Sequence, residues 1–296
     1  MIIKAVIVTF NPDENVIDLV YSLEKQGVGS IIVDNGSKEF DFSKIKKNID
    51  YSLIKLGENL GIATAQNIGI EKTVAIGGEF ILFFDQDSRI SDDFVQNLLD
   101  DYELLCSKSI KVGALGPRFI DDRGDFYYNA VSVLKSGLRV KYNVSEIKEP
   151  FNSILIISSG SLINVDVIKK VGGMKDNYFI DYVDTEWCFR AESLGYKVYI
   201  SSKAVMHHRI GDKVIKGKYF TLPVHSSFRR YFIIRNSIYM LKERYIPKPF
   251  VFHQILINLI HQILIIILLK SNKFNYIKSL YSGVTDGVKM LLFKFK

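Results

Sequence analysis

Cysteine is almost missing from this chain of 296 residues: only Cys106 and Cys188 occur. Two thiols make no disulfide framework, and a reducing cytosol is the expected compartment. A leader sequence is not expected either. The apolar run MIIKAVIVTF is followed at once by Asn11-Pro12-Asp13-Glu14, without a small-residue cleavage site. It reads as a first core strand, not a signal peptide. No internal repeat and no low-complexity linker is present. A glycine- and arginine-rich phosphate loop near the N-terminus is also absent. VTFNPDEN stands there instead, which counts against a nucleotidyltransferase.

Acidic residues are scarce toward the C-terminus. Between Lys203 and Lys296 there are 17 Lys plus Arg against 3 Asp plus Glu, a net of +14, whereas the rest of the chain is at −7. A basic, aromatic segment of this kind suits nucleic acid or an anionic membrane surface. Its long apolar stretches favour the membrane, and no nucleic-acid partner is expected.

What is present is a core. Hydrophobic residues make up 48% of the chain and charged residues 24%, enough for one large α/β domain with an appendage. Strand-like and helix-like segments alternate through the first half. Strands are expected over 2–10, 30–33, 51–56 and 80–84. Helices are expected over 16–26, 61–76 and 92–105, the last opened by Ser91. This alternation predicts a mostly parallel, doubly wound sheet. After Gly113 the pattern loosens into short strands, a buried strand over 154–163, a helix over 182–193 and a strand over 197–200.

The densest chemical signal is Phe80-Ile81-Leu82-Phe83-Phe84-Asp85-Gln86-Asp87-Ser88. A buried strand there ends in two carboxylates one residue apart, where a parallel sheet opens its ligand crevice. Two hard oxygen donors suit a divalent cation that bridges a diphosphate. Thr9 and Asn11 follow the first strand, and Asp34 ends the second, where it can accept from a base N–H or a ribose hydroxyl. Asn59-Leu60-Gly61-Ile62-Ala63 opens a helix whose backbone N–H groups suit phosphate or ribose. Taken singly, each of these also reads as an ordinary turn or cap.

VTFNP, VDNGS, ENLGIATAQNIGI and FFDQDS, in that order, resemble the nucleotide-sugar half of family 2 inverting glycosyltransferases. The stretches from Phe179 to Arg190 and from Val205 to Asp212, with Arg230-Tyr231-Phe232 and Arg235-Asn236, resemble the bacterial rhamnosyltransferase branch. The resemblance implies a Rossmann-like GT-A fold with Thr9, Asn11, Asp34, Asn59, Gly61, Asp85 and Asp87 toward the donor. Mg²⁺ or Mn²⁺ would be held by Asp87 and Asp85, with His208 as a third contact. Aligning Cys188 and Arg190 puts Asp184 at the catalytic aspartate, the general base. Relatives often carry glutamate before it. Here that residue is Val183, so either Asp181 or Glu186 supplies the supporting charge. Asp181 and Asp184 would share a helical face at i,i+3. Trp187, Arg190 and Arg235 complete the acceptor side. The implied reaction moves L-rhamnose from dTDP-L-rhamnose to a hydroxyl of a growing, lipid-linked glycan.

The expected organisation is a catalytic domain over 1–225, with a donor half to about 117, and a helical extension over 226–296. Residues 250–269 are long enough to span a membrane. However, His253, Gln254, Asn258, His261 and Gln262 form a polar stripe. That stripe predicts an amphipathic helix on the inner face of the cell membrane, with Phe250, Leu256 and Ile263 inserted, or a helix that packs on the catalytic domain or pairs two copies.

Overall fold

The first four strands form where the apolar runs predict them, over Ile3–Thr9, Gly29–Asp34, Tyr51–Lys55 and Phe80–Asp85. The computed structural model describes residues 1–121, 126–134, 136–207, 213–216, 221–269 and 271–292, with backbone alone over 213–216 and 221–222. The chain divides into two units. One holds residues 1–132, 141–179 and 183–209; the other holds 133–140, 180–182 and 210–296.

The first unit is built on one sheet. Its strands are β1 (Ile3–Thr9), β2 (Gly29–Asp34), β3 (Tyr51–Lys55), β4 (Phe80–Asp85) and β5 (Arg89–Ile90). Then come β6 (Val112–Asp121), β7 (Phe126–Tyr127), β8 (Phe151–Asn152), β9 (Leu162–Asn164) and β10 (Lys197–His207). The order is β8-β10-β6-β9-β4-β1-β2-β3, with β5 on β10 and β7 on β6. The run β4-β1-β2-β3 is parallel, as is β6 with β10. β9 lies antiparallel between β4 and β6. The sheet is therefore mixed but mostly parallel, with helices packed against it.

The helices of this unit are α1 (Asn15–Lys25), α2 (Ile62–Ala75), α3 (Phe94–Ser107), α4 (Val165–Val171) and α5 (Val183–Ser193). α1 buries Val16, Leu19, Val20 and Leu23, one apolar stripe at helical spacing. α2 lies close on β1 because Gly69 faces Val6: a Cβ at Gly69 would sit 2.2 Å from a Val6 methyl. β4 is buried along Phe80–Phe84, as a central parallel strand demands.

Four local expectations need correction. The strand expected over 154–163 shrinks to Leu162–Asn164. Ser158-Ser159-Gly160-Ser161 instead makes a turn in which Ser158 O accepts from Ser161 N at 2.9 Å and Ser161 Oγ at 2.6 Å. Gly160 adopts φ +75° there and donates to Phe83 O at 2.6 Å. β10 runs on to His207 where a stop at Ile200 was expected. Its register shifts between Ile200 and Val205, and the buried Asp101 carboxylate accepts from Ser201 Oγ and Ser202 N, both at 2.7 Å. α3 starts at Phe94, two residues late, and Ser91 donates to Asp93 instead of capping the helix. α5 starts at Val183 because Asp181 and Tyr182 have φ of +63° and +64°, incompatible with a right-handed helix.

The second unit holds α6 (Ser227–Tyr239), α7 (Lys248–Leu268) and α8 (Lys273–Leu292). Gly283 and Gly287 of α8 face α6, where added Cβ atoms would stand 3.0 Å from Ile234 and Ile238. The polar stripe of α7 turns inward. Arg230 of α6 is 1% exposed, and its guanidinium donates to Gln262 Oε1 at 2.7 Å and Asn258 O at 2.9 Å. Burial pulls Arg230 down to about 10 against the opposing fields of Tyr182 and Asp181, so it stays charged at neutral pH. Phe250, expected to insert in lipid, is 1% exposed and belongs to the interior.

Candidate active site

The site begins at the carboxyl ends of β1, β2 and β4. Pairing sets Thr9 opposite Asp34 and Val8 opposite Asp85, so three strand ends are side by side. Thr9 Oγ1 donates to Asp34 Oδ1 at 3.0 Å, with both residues buried. Ser37 donates to the same carboxylate through its hydroxyl and, at 3.3 Å, through its backbone N–H. Asn11, at φ +47°, joins the two loops: its N–H donates to Ser37 Oγ at 2.7 Å and its side chain accepts from Lys38 N at 3.1 Å.

Asp85 is the last residue of β4, half-buried, and Asp87 is exposed beyond it. The turn between them is pinned from both sides. Phe10 N donates to Gln86 Oε1 at 2.7 Å, and Asp85 N donates to Ser159 Oγ at 3.0 Å. Ser159 also pairs with the buried Ser88 hydroxyl at 2.9 Å. Among the described residues, no cluster of three His, Cys, Asp or Glu converges to hold a metal. Asp85 and Asp87 are hard oxygen donors of the kind that would suit a divalent ion such as Mg²⁺. His208 lies outside the described residues.

The helix-start reading changes most. Gly61 N donates to Asn59 Oδ1 at 3.0 Å and Leu60 N to Asn35 Oδ1 at 2.8 Å. Ile62 N and Ala63 N donate to Phe179 O at 2.7 and 3.4 Å. These four amides are satisfied within the chain, so Asn59 and Gly61 shape the loop and leave no open phosphate cradle at this helix start. Phe179 reaches them with φ +63° and ψ −66°, a strained turn conformation. Gly61 has φ +89°, and a Cβ there would lie 2.6 Å from the Phe179 ring. Gly61→Ala is therefore expected to cost about 1–3 kcal/mol, read as a lower urea midpoint at unchanged slope. A midpoint equal to wild type would show that Phe179 yields freely.

Asp184 stands in the first turn of α5. Its Oδ1 accepts from Thr185 N at 2.7 Å and its Oδ2 from Ser158 N at 3.3 Å. It lines a small cavity with Ser158, Ser161, Trp187 and Cys188. Burial pushes the Cys188 thiol up, so it stays protonated and offers no nucleophile. Gln66 reaches Ser158 Oγ at 3.2 Å through Nε2, while its buried Oε1 has no hydrogen-bond partner among the described residues.

The supporting residues separate. Glu186 is fully buried and accepts from Arg190 Nε and Nη2, both at 2.9 Å, with Lys175 at 3.4 Å. Arg190 also donates to Val171 O and Gly173 O at 2.7 Å, and Trp187 Nε1 donates to Gly172 O at 2.9 Å. These three residues tie α5 to the turn after α4; Trp187 also lines the cavity beside Asp184. Asp181, in the second unit, takes a two-pronged ion pair from Arg229 at 3.0–3.1 Å. It precedes α5, so the expected i,i+3 partnership with Asp184 does not arise. The Arg235 guanidinium lies 4.6 Å from the Phe232 ring centroid, and burial lowers it from its ordinary value.

The residues that pin the site, Ser88, Ser159 and Ser37, escaped sequence reasoning. Serines in a turn carry no spacing signal, and the VDNGS and FFDQDS motifs hold Ser37 and Ser88 without giving them a role.

The chain is similar to known proteins. Residues 4–172 match the family described as Glycosyl transferase family 2. The dTDP-rhamnosyl transferase RfbF of Shigella flexneri is 39% identical over 288 residues, 97% of this chain and 95% of that one. The low-salt glycan biosynthesis hexosyltransferase Agl10 of Haloferax volcanii is 19% identical over 250 residues, 80% of this chain and 76% of its own. Among solved structures, S. aureus TarS in complex with UDP-GlcNAc superposes with a TM-score of 0.59 at 15% identity, covering 98% of this chain and 82% of that one. GalNAc-T7 with UDP, GalNAc and Mn²⁺ gives 0.58 at 15% identity, and the match spans 83% of this chain but only 49% of the other. The likeness to these structures shows a GT-A-like fold, and the sequence matches place the chain in glycosyltransferase family 2.

Proposed function

We propose that this glycosyltransferase moves L-rhamnose from dTDP-L-rhamnose to a hydroxyl of a growing, lipid-linked bacterial surface glycan, with inversion at the anomeric carbon. The observation that carries the donor is the 39% identity to RfbF, which spans nearly the whole of both chains. Thr9 and Asp34 serve the nucleoside, Asp34 through whatever accepting capacity Thr9 and Ser37 leave it. Asp85 and Asp87 would hold Mg²⁺ or Mn²⁺. Such an ion, when bound, offsets the charge that develops on the departing nucleoside diphosphate. Asp184 takes the proton of the acceptor hydroxyl as that oxygen attacks the sugar. Two backbone amides and the start of α5 orient its carboxylate for this.

Thermal melting against dTDP-L-rhamnose, dTDP, UDP-galactofuranose and UDP-glucose, with and without Mn²⁺, tests the donor. A ligand at 100 times its Kd stabilises the folded state by about 2.7 kcal/mol. The largest shift is expected for dTDP-L-rhamnose with Mn²⁺. A larger shift from a UDP-sugar overturns the donor while leaving the family intact. Asp87→Ala should lower kcat/KM by about 10²–10³-fold and remove the Mn²⁺-dependent part of the shift. Full activity in EDTA sinks the carboxylate–metal reading.

A further inference from the structure

The second unit carries an apolar surface that sugar transfer does not use. On α7, Phe252, Leu256, Ile260, Ile263 and Ile267 are 49–62% exposed. At 3.6 residues per turn they fall within an arc of about 80°. Gln254, Asn258 and Gln262 occupy the opposite side and are at most 8% exposed. This reverses the usual surface helix, whose polar face meets water. α8 adds Phe274 and Tyr281, 76% and 73% exposed, beside the exposed Lys273 and Lys278.

We infer that the outward apolar face of α7, with that of α8, docks the protein on an anionic lipid bilayer, the helices lying in the plane of the surface. Charge complementarity selects this occupant. The segment from Lys203 to Lys296 is at +14, which phospholipid headgroups of negative charge neutralise and a second copy of the chain would double. α7 has the 21 residues and apolar content to cross a membrane. Yet its inner face is engaged: Gln262 and Asn258 satisfy the buried charge of Arg230, and Asn258 Nδ2 donates to Tyr182 Oη at 2.7 Å. A spanning helix would abandon those bonds, whereas an in-plane helix keeps them and immerses only the opposite side.

Flotation of the full chain with vesicles tests the docking, using pure phosphatidylcholine and phosphatidylcholine with phosphatidylglycerol at low and high salt. The protein is expected to float with the anionic vesicles, with partial release at high salt as the lysine contribution is screened. A Leu256→Glu, Ile260→Glu, Ile263→Glu variant should lose about tenfold or more in vesicle partitioning at both salt levels, because it removes the inserted area. Lys273→Glu with Lys278→Glu should weaken only the salt-sensitive part. Melting of each variant without lipid checks that it is folded, and a single Ile263→Glu substitution serves if the triple variant is not. Failure of the full chain to float with any vesicle overturns the inference. So does wild-type flotation by the folded Glu variants. A dimer that those substitutions convert to monomer, without vesicle binding by the parent, assigns the face to self-association instead.

Discussion

Asp184→Asn should slow glycosyl transfer by about 10²–10⁴-fold, the usual contribution of a positioned general base. The amide is nearly isosteric, and its oxygen can still accept from Thr185 N, the closer of the two backbone donors. The fold and the donor-dependent thermal shift should therefore survive. What is lost is the capacity to accept the proton of the attacking hydroxyl. Steady-state rates with a soluble acceptor, combined with donor titration, separate the two. Near-normal turnover in Asp184→Asn would remove this residue from the chemistry and send the search to another carboxylate.

Glu186→Ala, two residues along the same helix, should behave in the opposite way. The carboxylate is fully buried and forms a two-pronged pair with Arg190, whose side chain is 15% exposed. Removing one member of such a pair strands the other charge, a loss of about 3–5 kcal/mol. The expected result is a large fall in the denaturation midpoint. Transfer per folded molecule should stay intact, because the pair acts through the turn at Gly172–Gly173. Arg190→Met with Glu186→Met together should recover part of the loss, since the charge then left without Glu186 is that of Lys175, which is 34% exposed and reaches water. A stable but inactive Glu186→Ala protein would restore Glu186 to the acceptor site.

These two acidic residues mark how far linear reasoning reaches. Asp184, Thr185 and Glu186 share one short stretch and one charge type, and the spacing alone left Glu186 or Asp181 as the supporting charge. The distinction comes from what each faces. Asp184 meets backbone amides beside a cavity, Glu186 meets Arg190, and Asp181 meets Arg229. The helix start at Gly61 repeats the point from the backbone side. The glycine and the helix were legible. The carbonyl of Phe179, more than a hundred residues later, takes up the amides that an isolated helix start would offer to phosphate.

The sequence by itself determined the alternation of β1, α1, β2, β3, α2 and β4, because apolar periodicity and turn residues are local properties. It also determined that Asp85 and Asp87 leave a buried strand at its carboxyl end, since burial of Phe80–Phe84 follows from five consecutive apolar residues. Only the tertiary structure decided that Ser88 and Ser159 clamp that turn, and that β9 enters the sheet antiparallel between β4 and β6. It alone decided that the polar stripe of α7 looks inward. Periodicity sorts a helix into two faces but does not say which one meets the protein. The buried guanidinium of Arg230 settles it, because an unsolvated charge requires the oxygens of Gln262 and Asn258 more strongly than the apolar side chains require cover.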